Sequence, residues 1–387
     1  MSSQKIIYID NNATTPVDSE VREVMLPFLG TQYANPSGPY GPARAASRIL
    51  HQSREQVAAL FGVAPDTILF TSGGTESNNT AIHIAMRAAP HKCHVITTRV
   101  EHPSVLKYMN YIETIGYRVT YLTLNKDGVL DEDEFKNALN KETALVSIMT
   151  ANNETGILFP IERYSLLSHK YGALFHTDAI QAIGKISVPG IESSVDFISF
   201  SGHKFHGPKG IGGLYIRKGI KTGPYLLGGD QEQGRRAGTE NVPGIAGLGK
   251  AAELAQKHQP FMKSKVQKIR DTFEEEVYEQ INGTHIIGKD QHRLPNTSFI
   301  IFDDIESDAV LALMDIEGIC CSSGSACSSG SAEPSYVLSA MGYSKVESKG
   351  AMRFSFSRFN TTEEIQVVIH HLPSIIKKIK GYAKSSN

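Results

Sequence analysis

DFISFSGHKFHGPKGIGGLYI, residues 196–216, carries two apolar runs separated by a turn rich in glycine and proline. DFISF reads as one strand and GLYI as the next. Between them stand Lys204, with His203 and His206 close by. A lysine at the end of a buried strand is either a charge that escapes to water or a group placed there for its chemistry. The neighbouring segments decide between these readings.

Working outward, short apolar runs recur at TILF (67–70), HVITT (94–98), ALVSIM (144–149) and ALFHT (173–177). Helical periodicity fills most of the gaps, as in TESNNTAIHIAMRAA (75–89) and PIERYSLLSHKYG (160–172). Strands alternating with helices predict an α/β fold with a mostly parallel sheet covered on both faces. After about residue 258 the rhythm changes. A charged helical stretch (263–281) leads to THII, NTSFIIF, a helix at SDAVLALMDIEG and AMRFSFS (351–357). This predicts a large domain over 14–258 and a smaller C-terminal α/β domain over 259–387, completed by residues 1–13. No Gly/Ser linker marks the boundary, so a broad interface is expected between them.

The totals narrow the function. With 387 residues the chain can bury a large core, and 39 basic against 40 acidic residues leave a net charge of −1. That balance does not suit a surface that coats nucleic acid, and no direct nucleic-acid binding is expected. No apolar run is long enough to span a membrane, and the N-terminus carries no secretory signal pattern, so a cytoplasmic location is expected. Four cysteines make no disulfide framework, and the spacing of Cys320, Cys321 and Cys327 does not match paired zinc ligands.

In an open α/β sheet, ligands bind beyond the carboxyl ends of the strands. TILF runs into TSGGTES, where glycines open a helix and leave backbone N–H groups free for a phosphate. No Walker lysine or G-x-G-x-x-G is present, so nucleotide fingerprints do not fit. HVITT leads to His102 before a proline. ALVSIM leads to Asn152 and Asn153, which equally suit a turn. ALFHT leads to Asp178 with Gln181 at capping-box spacing, and DFISF leads to Lys204. Each has an ordinary structural explanation alone; five polar strand ends aimed at one edge do not. Phosphate anchor, carboxylate, imidazole and lysine together are what pyridoxal phosphate requires. The lysine binds its aldehyde, the carboxylate keeps the pyridine nitrogen protonated, and the imidazole covers a ring face.

The order IDNNATT (9–15), TSGGTES (71–77), EHP (101–103), ANNETG (151–156), HTDAIQAIGK (176–185), SGHKFHGPKG (201–210), GRRAGTEN (234–241), SSGSACSSGSAEPS (322–335) and RFSFSRF (353–359) resembles cysteine desulfurases of the NifS/IscS type. These are class V pyridoxal-phosphate enzymes of fold type I. The resemblance spans nearly the whole chain. It implies conversion of L-cysteine to L-alanine, with the sulfur left as a persulfide on an enzyme cysteine.

By the same resemblance Lys204 is the Schiff-base lysine, His102 stacks on the ring and moves protons, and Asp178 pairs with the ring nitrogen. Gln181 bonds the ring phenolate oxygen. Gly74, Thr75, Ser201 and His203 hold the phosphate, joined by Thr239 from the second subunit of a homodimer. Asn153 and Arg353 bind the substrate carboxylate, and Cys327 receives the sulfur. The implied acceptor is a NifU/IscU-like iron–sulfur scaffold. Cys320 and Cys321 follow an apolar pattern and read as small hydrophobes rather than relay thiols.

The chain departs from the family pattern at NPSGPYGPARAA (35–46), and it carries Thr150 where relatives often have tryptophan. No role is carried into either position. NKDGVLDEDEF (125–135) lacks the ligand spacing of a calcium loop and reads as a turn followed by a capped helix. His203 and His206 read as cofactor contacts rather than a metal pair. The rival activities are a selenocysteine lyase, another class V enzyme such as an aminotransferase, and a catalytically silent scaffold.

Overall fold

A computed structural model of the chain describes residues 6–188, 194–221, 223–324 and 335–385. At its centre lies a seven-stranded sheet in the order β2-β8-β7-β6-β5-β3-β4. Its strands are β2 (Ile68–Thr71), β3 (His94–Thr98), β4 (Arg118–Leu122), β5 (Thr143–Ser147), β6 (Leu174–Asp178), β7 (Phe197–Ser201) and β8 (Gly212–Ile216). From β4 through β7 all pairings are parallel, while β8 runs antiparallel to both β7 and β2. The expected strands lie within a residue or two of these bounds.

The strands β2, β3, β5, β7 and β8 are buried along their whole length. Their side chains alternate between two cores. Ile68, Phe70, Ile96, Val146, Ile198 and Phe200 pack into one. Leu69, Val95, Leu145, Phe197 and Leu214 pack into the other, beneath the helices Gly74–Ala88 and Pro103–Thr114. The two-residue period of a strand sends neighbours to opposite faces, so a strand in mid-sheet is mostly apolar and bonds its buried polar groups internally, as His176 does with Ser147 and Ser199. The exception is β4, an edge strand of sequence RVTYL that is only partly buried. Its polar alternation kept it out of the sequence reading.

A third core gathers the C-terminal half. It joins Ile7 and Ile9 to Phe273, Ile300, Phe302, Phe354 and Leu372. Here β9 (Thr284–Ile286), β10 (Thr297–Phe302), β12 (Ser322–Ser323) and β13 (Ala351–Ser355) form an antiparallel sheet in the order β12-β13-β10-β9. The N-terminal strand β1 (Ile7–Tyr8) pairs with β11 (Ile319–Cys320), and Asp10 bridges to Ser355. The helix Val242–Phe261 does not stop at the expected boundary. It runs through Pro260 and a π turn at Met262–Val266 into the helix Gln267–Gln280. Proline lacks an N–H for the regular ladder, and the widened turn accommodates it.

Among the described residues no helix is long and apolar enough to cross a membrane. Asp131 caps the helix Glu132–Ala138 through the N–H groups of Asp133 and Glu134, as expected for the segment that superficially resembles a calcium loop.

Candidate active site

The carboxyl ends of β2, β3, β5, β6 and β7 converge on a cavity of about 350 Å³, within the roughly 300–1,000 Å³ usual for small-molecule sites. Gly74, Thr75, His102, Asn153, Asp178, Gln181, Ser201, His203, Lys204 and Arg353 all line it. Asn12, Ala13, Met149, Ala151 and Ile180 complete the wall. Of the remaining residues named from sequence, Thr239 is exposed and does not line the cavity, while Cys327 falls outside the described residues.

Lys204 ends the short turn Gly202–Lys204 that follows β7. Its Nζ donates to the carbonyls of Asn12 at 2.6 Å and Ala13 at 2.8 Å. The N-terminal segment therefore holds the lysine at the cavity. That segment is itself stapled down, since the Thr15 N–H and hydroxyl both donate to the His203 carbonyl at 3.0 Å. His206 adopts a left-handed backbone (φ 69°), a costly conformation for a residue with a side chain. Its N–H donates to the Thr15 hydroxyl, and its ring packs on Phe359. No group of three or more metal-ligating side chains occurs among the described residues, and His206 is engaged with the N-terminal segment.

Asp178 is the last residue of β6 and is almost fully buried. One carboxylate oxygen accepts from the Asn78 amide at 2.7 Å and the other from the Ile180 N–H at 3.0 Å. The capping box suggested by its spacing to Gln181 does not form. Gln181 instead donates to the Asn12 carbonyl at 3.0 Å and accepts from Lys185 at 2.7 Å. Both side chains line the cavity.

His102 caps the helix Pro103–Thr114 and lines the cavity as well. The Ser104 N–H donates to its Nδ1 at 3.1 Å, so the neutral ring carries its proton on Nε2. Burial pushes its pKa down and Lys204 adds to that, while Asp178 pulls it up. His203 is lowered to about 4 by burial and by neighbouring lysines. Asn152 forms the turn, accepting from the Glu154 and Thr155 N–H groups, and leaves Asn153 to face the cavity.

Arg353, on β13, is buried. It donates from Nη2 to Asp10 at 2.9 Å and from Nη1 to the Asn153 carbonyl at 3.0 Å. Its Nε has no partner among the described residues. Sequence reasoning passed over several groups in this shell. Glu101 is buried, receives the Thr98 hydroxyl and the Met149 N–H on one oxygen, and is pushed up to about 8 by burial. Asp10, Asn12, Asn78 and Lys185 were also missed. Asp10, Asn12, Glu101 and Lys185 lie inside quoted motifs, so their positions were flagged even though their roles were not.

The residues fit pyridoxal phosphate. The helix Gly74–Ala88 starts after Gly73 without a side-chain cap, so its first N–H groups are left for an anion. A Cβ on Gly74 would lie 2.1 Å from Ile180 Cδ1, so any larger residue requires that side chain to shift. A buried carboxylate, a neutral imidazole and a lysine amine border the same space. Cys320 and Cys321 do not suit sulfur relay, because burial raises both thiols, Cys321 to about 12.

The class-V aminotransferase family model matches residues 7–368. The chain belongs to that family. A curated relative named cysteine desulfurase, from Trichormus azollae, is 48% identical over 382 residues, covering 99% of this chain and 96% of the relative. A solved NifS-like protein superposes with a TM-score of 0.89 at 37% identity, covering 96% of this chain and all of that one. SspA, solved in complex with cysteine, superposes with a TM-score of 0.80 at 35% identity, covering 92% of this chain and all of that one. The class-V fold, a mostly parallel sheet flanked by helices, is thus common to the chain and its relatives.

Proposed function

We propose that this class-V enzyme is a pyridoxal-phosphate-dependent cysteine desulfurase. The substrate C–S bond breaks and an S–S bond forms at Cys327. One L-cysteine and one enzyme thiol thereby give one L-alanine and one enzyme persulfide. The observation that carries the reading is the meeting of Lys204, Asp178, His102 and Arg353 in a single cavity at the strand ends. Bound pyridoxal phosphate supplies the electron sink that weakens bonds at the substrate α-carbon.

The chain's own groups divide the remaining work. The N–H groups opening the helix at Gly74, with Thr75, Ser201 and His203, receive the phosphate. Asp178, held from both sides by Asn78 and the Ile180 N–H, would pair with the ring nitrogen of the bound cofactor. Gln181 would bond its ring oxygen. His102, neutral with its proton on Nε2, would cover the ring and carry protons to and from the substrate. Lys204 provides the amine that anchors the cofactor. Arg353 offers a fork to the substrate carboxylate beside Asn153.

A homodimer completes the site in this reading. A wide concavity of about 880 Å³ shares Thr75 and His102 with the cofactor cavity. Tyr111, Ile115 and Tyr225 on its wall are exposed, which supports a second copy closing it and bringing Thr239 of the partner subunit. The larger unit spans 14–258 and the smaller unit 1–13 with 259–387. The persulfide passes to a NifU/IscU-like iron–sulfur scaffold in the cytoplasm.

Borohydride reduction of the purified protein followed by peptide mapping tests the site. The cofactor mass is expected on the Lys204 peptide, and Lys204→Ala is expected to lose both that mass and alanine formation. Wild-type alanine formation by Lys204→Ala would overturn the assignment.

A further inference from the structure

Lys185 is a second lysine beside the cavity, and it is 5% exposed. Its Nζ donates to the Gln181 side-chain oxygen at 2.7 Å and to the Asn12 side-chain oxygen at 2.9 Å. Both acceptors are fixed as oxygens by their other partners. The Asn296 amide also donates to Asn12 Oδ1, while Asn12 Nδ2 donates to the Thr297 hydroxyl. The NH2 of Gln181 donates to the Asn12 carbonyl, which also accepts from Lys204. A continuous chain thus runs from Lys185 through Gln181 and Asn12 to Lys204.

An amide can turn over and exchange its oxygen for its NH2. Reversing Gln181 would set its oxygen against the Asn12 carbonyl and its NH2 against the Lys185 amine, losing hydrogen bonds inside the protein, where an unmade bond costs most. Lys185, together with the Asn12 carbonyl, therefore keeps the Gln181 oxygen turned away and its NH2 directed along the cavity wall. The charged and titratable groups around Lys204 are His102 and Asp178 from the strand ends, His203 from its own turn, Arg353 with Asp10, and Lys185 itself. Burial, then Lys204 and Arg353, push the Lys185 amine well below the usual lysine range.

We propose that Lys185 is a positioning residue: it orients Gln181 to donate to the cofactor's ring oxygen and so sets the pH at which the cofactor bound at Lys204 changes colour. This rests on the pyridoxal-phosphate reading given above. A donor on the ring oxygen weakens that oxygen's hold on the proton it shares with the Lys204 nitrogen. Losing the donor raises the transition, and losing any positive charge at Lys185 acts in the same direction. The loss of one hydrogen bond to a charged oxygen corresponds to a rise of about one pH unit, roughly tenfold in proton affinity.

The test is a spectrophotometric pH titration of full-length protein loaded with pyridoxal phosphate. Lys185→Met is expected to titrate about one unit above wild type. Gln181→Ala is expected to shift in the same direction, and the double variant to shift less than the sum of the two. Lys185→Gln, which keeps a donor in the buried position, is expected to fall between wild type and Lys185→Met; it carries the test should the methionine variant fail to fold. An unchanged transition in the Lys185 variants, with only thermal stability reduced, would overturn the positioning role. Wild-type protein that takes up no coloured cofactor would instead overturn the functional reading beneath it.

Discussion

Arg353→Lys keeps a positive charge and removes the guanidinium fork. In the structure the fork spends Nη2 on Asp10 and Nη1 on the Asn153 carbonyl, and Nε has no partner among the described residues. In the proposed reading its remaining N–H groups serve a substrate carboxylate. A lysine has three donors on one atom and cannot serve all three directions in one plane. Losing one of two charge-assisted bonds to the carboxylate costs about 1.5–3 kcal/mol. That corresponds to roughly a 10- to 150-fold fall in kcat/KM for L-cysteine. The assay is alanine formation across cysteine concentrations, run beside product formation from cysteamine, which lacks the carboxylate. The variant is expected to lose most of the preference of wild type for cysteine over cysteamine. Equal losses on both substrates would refute the reasoning, because they would place the damage in folding or cofactor binding.

Glu101 has a folded-state pKa of about 8 against an ordinary value near 4.5. Its stabilising contribution is present in full below pH 4.5 and is lost as pH rises through about 8, at about 1.4 kcal/mol per pH unit. Glu101→Gln is expected to flatten that part of the stability profile in urea titrations between pH 5 and 9 (roughly the window of the shift); an unaltered slope would contradict the assignment. Gly74→Ala drives a methyl against Ile180 at 2.1 Å. A packing cost of about 1–3 kcal/mol is expected as a loss of unfolding free energy, read by chemical denaturation; an unchanged midpoint would contradict it. Ser335→Ala removes the 2.5 Å hydrogen bond to the buried Glu154 carboxyl. It is expected to lower unfolding free energy by about 1–3 kcal/mol in chemical denaturation, without changing the cofactor spectrum.

Much of the architecture was legible because mid-sheet strands are buried on both faces, and runs such as HVITT and DFISF send apolar side chains to both cores. The polar residues after those runs then pointed to one edge, and Gly74, His102, Asn153, Asp178 and Lys204 do line one cavity. What escaped was whatever depended on tertiary neighbours. The strand RVTYL was passed over because an edge position tolerates polar residues. Asp178 and Gln181 have the spacing of a capping box, yet the Asn78 amide and the Ile180 N–H claim the first side chain and the buried Lys185 the second. Lys185 and Glu101 look like surface charges in the sequence, and only the fold reveals that both are buried. Asn12 lies far from Lys204 in sequence, so its backbone contact with that lysine could not be read from spacing.

The central claim is sulfur transfer from L-cysteine to Cys327, and mass spectrometry of the protein after incubation with L-cysteine addresses it most directly, with alanine quantified in the same sample. The account predicts one added sulfur on the Cys327 peptide, matched by alanine, and no adduct or transfer to an added thiol acceptor in Cys327→Ala that retains the cofactor spectrum. Neither alanine nor adduct from protein that holds pyridoxal phosphate on Lys204 would contradict it.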